Sequence, residues 1–269
     1  MKRIFLTALA ALLLCNSATW AGPYEDGVAA YKRGDYANAL RLIRPLAEQG
    51  NAVGQLILGA MYTEGQGVKQ DYVEAIKWFR LGAAQGLAIA QYNVGKLTAN
   101  GHGVAKDYQE AAKWYRLAAA QGYADAQYDL GVLYDQGRDS KQDYAEAMKW
   151  YRLSAAQGHA MAQTNLGTLY ENGNGIAQDY QGAIKWYRQA AEQGTAVAQN
   201  NLGLMYAKGL GVAQDLDRAY MWFSLGASSG NAESARNRDI ASRKMTSEQI
   251  AEAQKMVLAC QQRKLKGCN

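Results

Sequence analysis

Residues 160–194 read AMAQTNLGTLYENGNGIAQDYQGAIKWYRQAAEQG, and this stretch decides the fold because close copies of it recur along the chain at one fixed spacing. Trp78, Trp114, Trp150, Trp186 and Trp222 are each 36 residues apart, as are Asp71, Asp107, Asp143, Asp179 and Asp215. Gly59, Gly95, Gly131, Gly167 and Gly203 form a third series and Gly86, Gly122, Gly158, Gly194 and Gly230 a fourth, so residues 51–230 are five units of 36. A period of this length means stacked supersecondary units, each too small to bury its apolar face alone.

One unit, Leu87 to Gly122, shows why it is two helices. Ala90, Val94, Leu97 and Thr98 fall at i, i+4, i+7 and i+8, one stripe of a helix that the Asn100-Gly101-His102-Gly103 turn ends. This is helix A. Asp107 stands at an N-cap with Glu110 three residues on, and Tyr108, Ala111, Ala112, Trp114, Tyr115, Ala118 and Ala119 give a wide apolar face up to Gln121-Gly122. This is helix B. Gly95 and its copies sit mid-helix, where glycine costs about 1 kcal/mol against alanine, so the spacing predicts another backbone passing too closely for a methyl group. The tryptophans are expected as core residues spanning adjacent helix pairs.

Working outward, residues 22–50 repeat the phase in shortened form, with Asp35 and Gly50 in register and Leu42 in place of tryptophan, and read as an N-terminal capping pair. After Gly230 the pattern decays into a C-terminal cap over 231–269, where Thr246-Ser247-Glu248-Gln249 offers a capping box to a helix carrying Ile250, Ala253, Val257 and Cys260 on one side. The predicted fold is all-α, a right-handed α/α solenoid of seven antiparallel helix pairs.

The unit A-x-A-Q-x-x-L-G-x-x-Y-x-x-G-x-G-V, followed by D-Y-x-x-A-x-x-W-Y-x-x-A-A-x-Q-G, resembles the Sel-1-like repeat, a relative of the tetratricopeptide repeat. Ala160, Ala162, Gln163, Leu166, Gly167, Tyr170, Gly173, Gly175, Asp179, Tyr180, Ala183, Trp186 and Tyr187 fit it closely. Departures are local: Arg138-Asp139-Ser140 interrupts one loop, Thr98 replaces a tyrosine, and Leu216 replaces the tyrosine after an aspartate. The resemblance implies a scaffold for protein or peptide binding, with secreted bacterial members linked to envelope processes or host contact. A cysteine-rich branch of the family is associated with penicillin binding and β-lactamase-like activity. That branch carries a cysteine pair per repeat and this chain has none inside its repeats, so weak β-lactam chemistry stands as the alternative and a passive envelope spacer as a third reading.

Lys2 and Arg3 precede an apolar run from Ile4 to Leu14, then small or polar residues to Ala21, the pattern of a secretory signal peptide over residues 1–21. The expected destination is the periplasm, with secretion or lipid anchoring at Cys15 as lesser readings. Removal of Cys15 leaves Cys260 and Cys268 as an even pair in a compartment that keeps disulfides, and the two are expected to bridge. The net charge of +5 is small, and with an export signal it speaks against nucleic acid. The excess is concentrated between Arg236 and Asn269, with eight basic and three acidic residues, a tail able to approach an anionic membrane surface although a solvated cap is the plainer expectation.

The chain contains no S-x-x-K, K-T-G, H-E-x-x-H or G-x-x-x-x-G-K-[ST], and its two histidines, His102 and His159, are expected to be solvated. No catalytic residue, metal or cofactor is therefore assigned, and the protein is read as a monomeric non-enzyme. Binding candidates come from the positions that the framework leaves free on helix A, the side that lines the concave face in tetratricopeptide-like solenoids. Asn93, Asp129, Asn165 and Asn201 form a polar ladder at the seventh position of successive units, where an amide can both donate to and accept from an extended peptide. Tyr92, Tyr128 and Lys96 lie beside it, and Ile89, Met161, Val197 and Leu204 supply apolar anchors on the same face. Ordinary packing between repeats is the competing reading of all of them.

Overall fold

The computed structural model describes residues 21–138 and 141–268, so all of the expected leader (residues 1–21) except Ala21, the loop residues Asp139 and Ser140, and Asn269 lie outside the described residues. Among the described residues there are fourteen α-helices and no strand: α1 (Ala21–Arg33), α2 (Tyr36–Glu48), α3 (Ala52–Glu64), α4 (Tyr72–Ala84), α5 (Ala88–Asn100), α6 (Tyr108–Ala120), α7 (Ala124–Gln136), α8 (Tyr144–Ala156), α9 (Ala160–Asn172), α10 (Tyr180–Ala191), α11 (Ala196–Lys208), α12 (Leu216–Ser228), α13 (Ala232–Ser242) and α14 (Ser247–Gln262). Within each unit helices pack in antiparallel pairs and one pair packs on the next, as in α3 with α4, α4 on α5, α9 with α10 and α10 on α11. The chain divides into two compact units, one of residues 1–126 with 138–140, the other of 127–137 with 141–269.

The punctuation read from the sequence is what starts and stops the helices. Asp35, Asp71, Asp107, Asp143, Asp179 and Asp215 each accept a backbone N–H from the first turn of the following helix B, at 2.8–3.2 Å, which satisfies donors that have no partner inside the helix. Gly86 ends α4 at φ +87, a conformation closed to most side chains, and Leu87 N–H then reaches back to Gly82 O. Thr246 and Gln249 complete the expected capping box at the start of α14.

The mid-helix glycines are explained differently from the sequence-based expectation. A Cβ on Gly59, Gly95, Gly131 or Gly203 would meet an aromatic ring of the paired helix B at 2.6–2.7 Å, on Phe79, Tyr115, Tyr151 and Phe223 respectively, and Gly167 faces Tyr187 in the same way. The nearest neighbour is a ring, with the expected backbone close behind it at Gly95 and Gly131, where Ala111 O and Ala147 O would lie 3.2 and 3.3 Å from the Cβ. These aromatics are fully or almost fully buried and form the centre of each pair, while Trp78, Trp114, Trp150 and Trp186 keep one edge partly exposed. The tryptophans still bridge neighbours as expected: Trp114 packs on the cluster of Leu56, Phe79 and Val94, and Trp186 on that of Met148, Tyr151 and Leu166.

The C-terminal end departs from simple pairing. α13 packs on α12 and α11, and α14 folds back onto the outer side of α12, where Met256, Val257 and Cys260 join the cluster around Met221, Trp222 and Leu225.

Candidate functional site

Adjacent helix pairs are stitched by glutamines that the 36-residue period places at the start of helix A and just after helix B. Gln55, Gln91, Gln163 and Gln199 each donate to a carbonyl at the end of the preceding helix B, on Ala47, Ala83, Ala155 and Ala191, at 3.1–3.3 Å. Gln85, Gln121, Gln157 and Gln193 donate in turn to the side-chain oxygens of Gln55, Gln91, Gln127 and Gln163 at 2.8–2.9 Å. Gln55, Gln91 and Gln163 thereby have both the nitrogen and the oxygen of a buried amide engaged, which is why the glutamines recur.

The expected polar ladder is largely engaged inside the protein. Asn93 is 8% exposed, and its amide nitrogen donates to Ile89 O of its own helix at 2.8 Å. Asn165 is half-buried and donates to the Tyr151 hydroxyl at 3.0 Å, and Asn201 is half-buried on the side of α11 near Tyr187, whose hydroxyl bonds Thr168 and Glu171. The difference follows from the preceding repeat, which offers Asn93 a phenylalanine, Phe79, where Asn165 and Asn201 meet a tyrosine. Each of those hydroxyls donates to a helix-A carboxylate, Tyr151 to Asp135 at 3.0 Å and Tyr187 to Glu171 at 2.6 Å. Burial pushes both phenols well above the usual tyrosine range, with the adjacent carboxylates adding to the shift, and burial also raises the Asp135 carboxyl. A short chain of amide, phenol and carboxylate thus ties one repeat to the next. The sequence carried a signal for it, a tyrosine or phenylalanine after each helix-B tryptophan, but not which atoms would meet.

The flanking candidates are also packed against protein. Tyr92 lies against Tyr115 and Tyr123, with ring centroids 5.8 and 5.1 Å away, and Lys96 Nζ sits 5.7 Å from the Tyr92 ring. Tyr128 rests on Tyr151 and on His159, and Asp129 is half-buried with a partner in the protein. Ile89 is buried, whereas Met161 and Val197, at the same register, stand 40% and 45% exposed. They precede Asn165 and Asn201 by one helical turn, so in the second unit an exposed apolar residue and a half-buried amide lie on one helix face in both α9 and α11.

Of the two histidines expected to be solvated, His102 is exposed and His159 half-buried, and each is stacked on a tyrosine. His102 lies on Tyr72 with centroids 4.6 Å apart, and His159 lies on Tyr128 at 4.6 Å while its Nδ1 accepts Ala162 N–H at 3.2 Å, capping α9. Both rings are held where a nearby tyrosine and a helix start need them. Cys260 and Cys268 are buried and brought within bonding distance, their Cα atoms 5.2 Å apart. In the basic tail, Arg238 and Lys255 form ion pairs with Asp239 and Glu252, and Gly267 N–H donates to Glu192 Oε1 at 3.3 Å.

Positions 27 and 30 of the first four repeats carry a cation column that was not among the expected site residues: Lys77, Lys113, Lys149 and Lys185, with Arg80, Arg116, Arg152 and Arg188 one turn on. It lies on the outer side of helix B. Lys77, Lys113 and Lys149 each pair with a glutamate three residues before, and Arg44, Arg152 and Arg188 donate to Tyr62, Tyr170 and Tyr206 of the next helix A at 2.8–3.0 Å.

The Sel1 repeat model matches six consecutive stretches, residues 16–51, 52–87, 88–123, 124–159, 160–195 and 196–231, and the chain belongs to the Sel1-repeat family. Members of this family generally act as scaffolds for protein–protein interaction, without chemistry of their own. A Sel1 repeat protein from Oxalobacter formigenes is similar in structure, with a TM-score of 0.75 and 36% identity over 80% of this chain and 85% of that one. So is c5321, a protective antigen of uropathogenic Escherichia coli with the same fold, with a TM-score of 0.58 and 30% identity over 93% of this chain and 63% of that one. A search of curated proteins finds no match.

Proposed function

We propose that the protein is a non-catalytic scaffold of the bacterial envelope or cell exterior that holds an extended segment of another protein against the helix-A side of its second unit. The observation that carries this reading is the pairing of exposed Met161 and Val197 with Asn165 and Asn201 on α9 and α11. With its nitrogen committed to Tyr151, the Asn165 amide is held in fixed orientation, and it and Asn201 each offer a carbonyl oxygen to accept from a peptide N–H. In the first unit the matching residues Ile89 and Asn93 are buried, so the proposed contact is confined to the second. Export is supported by the Lys2-Arg3 and Ile4–Leu14 pattern.

Two such hydrogen bonds contribute about 1–3 kcal/mol, and covering Met161 and Val197 adds less than the 1.5–3 kcal/mol per side chain of a full burial. Micromolar binding needs about 8 kcal/mol. These four residues therefore set register, and the bound segment gains the rest from contacts beyond them.

The test is selection of a displayed library of random linear peptides on the purified protein, followed by affinity measurement against Met161→Glu/Val197→Glu. These side chains face solvent, so the variant is expected to fold, checked by circular dichroism. At least a ten-fold loss supports the reading. Equal binding to parent and variant, or no enrichment at all, overturns it.

A further inference from the structure

The outer face of α4 is an uncovered copy of a surface that the protein itself covers with a helix elsewhere. Four periods along the chain, Val73, Lys77, Arg80, Leu81 and Ala84 become Asp217, Met221, Ser224, Leu225 and Ser228 of α12. The centre of that second set, Met221 and Leu225, lies beneath α14, whose Ala253, Met256, Val257 and Cys260 recur at i, i+3, i+4 and i+7 as one apolar seam, and Leu225 is 3% exposed there. On α4 no helix among the described residues takes the place of α14. Val73 is 60% exposed and Leu81 44%, and they lie eight residues apart on one helix face with the two cations between them.

The charges say what kind of helix fits. Where α14 covers the face, both cations are replaced, by Met221 and Ser224, and where the face is bare they are kept. Arg80 also differs from its counterparts. Arg44, Arg152 and Arg188 are each held by a tyrosine of the next helix A, but the position facing Arg80 is Thr98, which is buried and turns its hydroxyl onto Val94 O at 2.8 Å. Arg80 is exposed, beside Lys77. The matching face of α10 has Gln181 and Gln189 in place of the valine and leucine, and its Arg188 is tied to Tyr206, so the apolar ends and the available guanidinium coincide on α4.

We infer that the outer face of α4 docks an amphipathic helix of a partner protein, with apolar residues seated on Val73 and Leu81 and acidic residues beside them meeting Lys77 and Arg80. The site is on a different helix and a different unit from the proposed peptide contact, and it stands or falls separately.

The probe is a synthetic peptide of residues 246–263 carrying Lys255→Glu, Cys260→Ala and Arg263→Glu, an acidic form of the helix that already covers this type of face. It is titrated against the purified, isotope-labelled protein and read by amide shifts and by fluorescence anisotropy, beside a scrambled peptide of the same composition. The expected result is shifts concentrated in residues 73–84, no binding of the scramble, and at least a ten-fold loss of affinity in Lys77→Glu/Arg80→Glu and in Leu81→Ser. The first variant is expected to gain affinity for a peptide with Lys255 and Arg263 retained, and Met161→Glu/Val197→Glu is expected to bind as the parent does. Shifts centred on α12, or no binding, overturn the inference. It is equally overturned if the acidic peptide fails while phosphatidylglycerol vesicles bind the parent and not Lys77→Glu/Arg80→Glu, or if sedimentation shows self-association that this variant abolishes.

Discussion

Replacing Gly131 by alanine tests whether the mid-helix glycines exist to admit an aromatic ring. The new Cβ would lie 2.6 Å from Tyr151 Cδ1, 2.7 Å from Cε1 and 3.3 Å from Ala147 O. The ring is fully buried, and its far end is fixed by the Asp135 and Asn165 hydrogen bonds, so it cannot slide away without breaking them. Overpacking of this kind costs about 1–3 kcal/mol, a lost hydrogen bond adds about 1 kcal/mol, and removing a glycine from a helix interior returns about 1 kcal/mol. The net expectation is destabilisation by about 1–3 kcal/mol, or about 2–12 °C in midpoint for a domain of this size. Thermal and urea unfolding of the parent, Gly131→Ala, Tyr151→Ala and the double variant measure it as a coupling energy. In the Tyr151→Ala background the space is vacated, and the same glycine substitution should become neutral or mildly stabilising. If Gly131→Ala by itself raises the midpoint by the helix-propensity amount, the ring-contact argument is wrong.

Ser229 stands where the preceding repeats place a glutamine that donates to the next-door amide, and it leaves Gln199 Oε1 buried without a partner. Ser229→Gln is therefore expected to stabilise by about 1 kcal/mol in urea titration, with Ser229→Ala as a control that should gain nothing. Asp217 on α12 has its carboxyl raised, first by burial and then by Asp215 and by Glu252 of the covering α14, and its Oδ1 has no hydrogen-bond partner. A carboxyl raised in the folded state binds its proton there before it does in the unfolded chain. Stability should accordingly rise as pH falls through the raised value and level off near the ordinary aspartate range. Asp217→Asn should raise the midpoint at neutral pH and flatten that slope, and an unchanged profile would sink the assignment. A bond between Cys260 and Cys268, eight residues apart, contributes about 2–3 kcal/mol by loop-closure entropy. Reductant should loosen amide protection at the end of α14 and at Gly267 in the parent and leave a Cys260→Ser/Cys268→Ser variant unchanged.

The sequence by itself determined the elements and their order. A 36-residue period, an aspartate before each helix B and a glycine after it are local signals, because caps and turns act within a few residues of their own position, and they placed helix starts such as Tyr108 and Tyr180 before any contact was known. The seventh-position asparagines were equally visible, yet their role depended on what the neighbouring repeat put opposite them. Phe79 leaves Asn93 to close on its own helix, while Tyr151 draws Asn165 into a chain with Asp135.

Only the tertiary structure showed that glycine faces a ring, that the glutamines stitch one pair to the next, and that α14 turns back onto α12 to bury a face that α4 leaves open. Periodicity along one chain reports that positions are equivalent. Whether an equivalent position is covered depends on which helix, if any, is brought against it from a distant part of the sequence, and that is settled by packing between elements and not by the pattern within one.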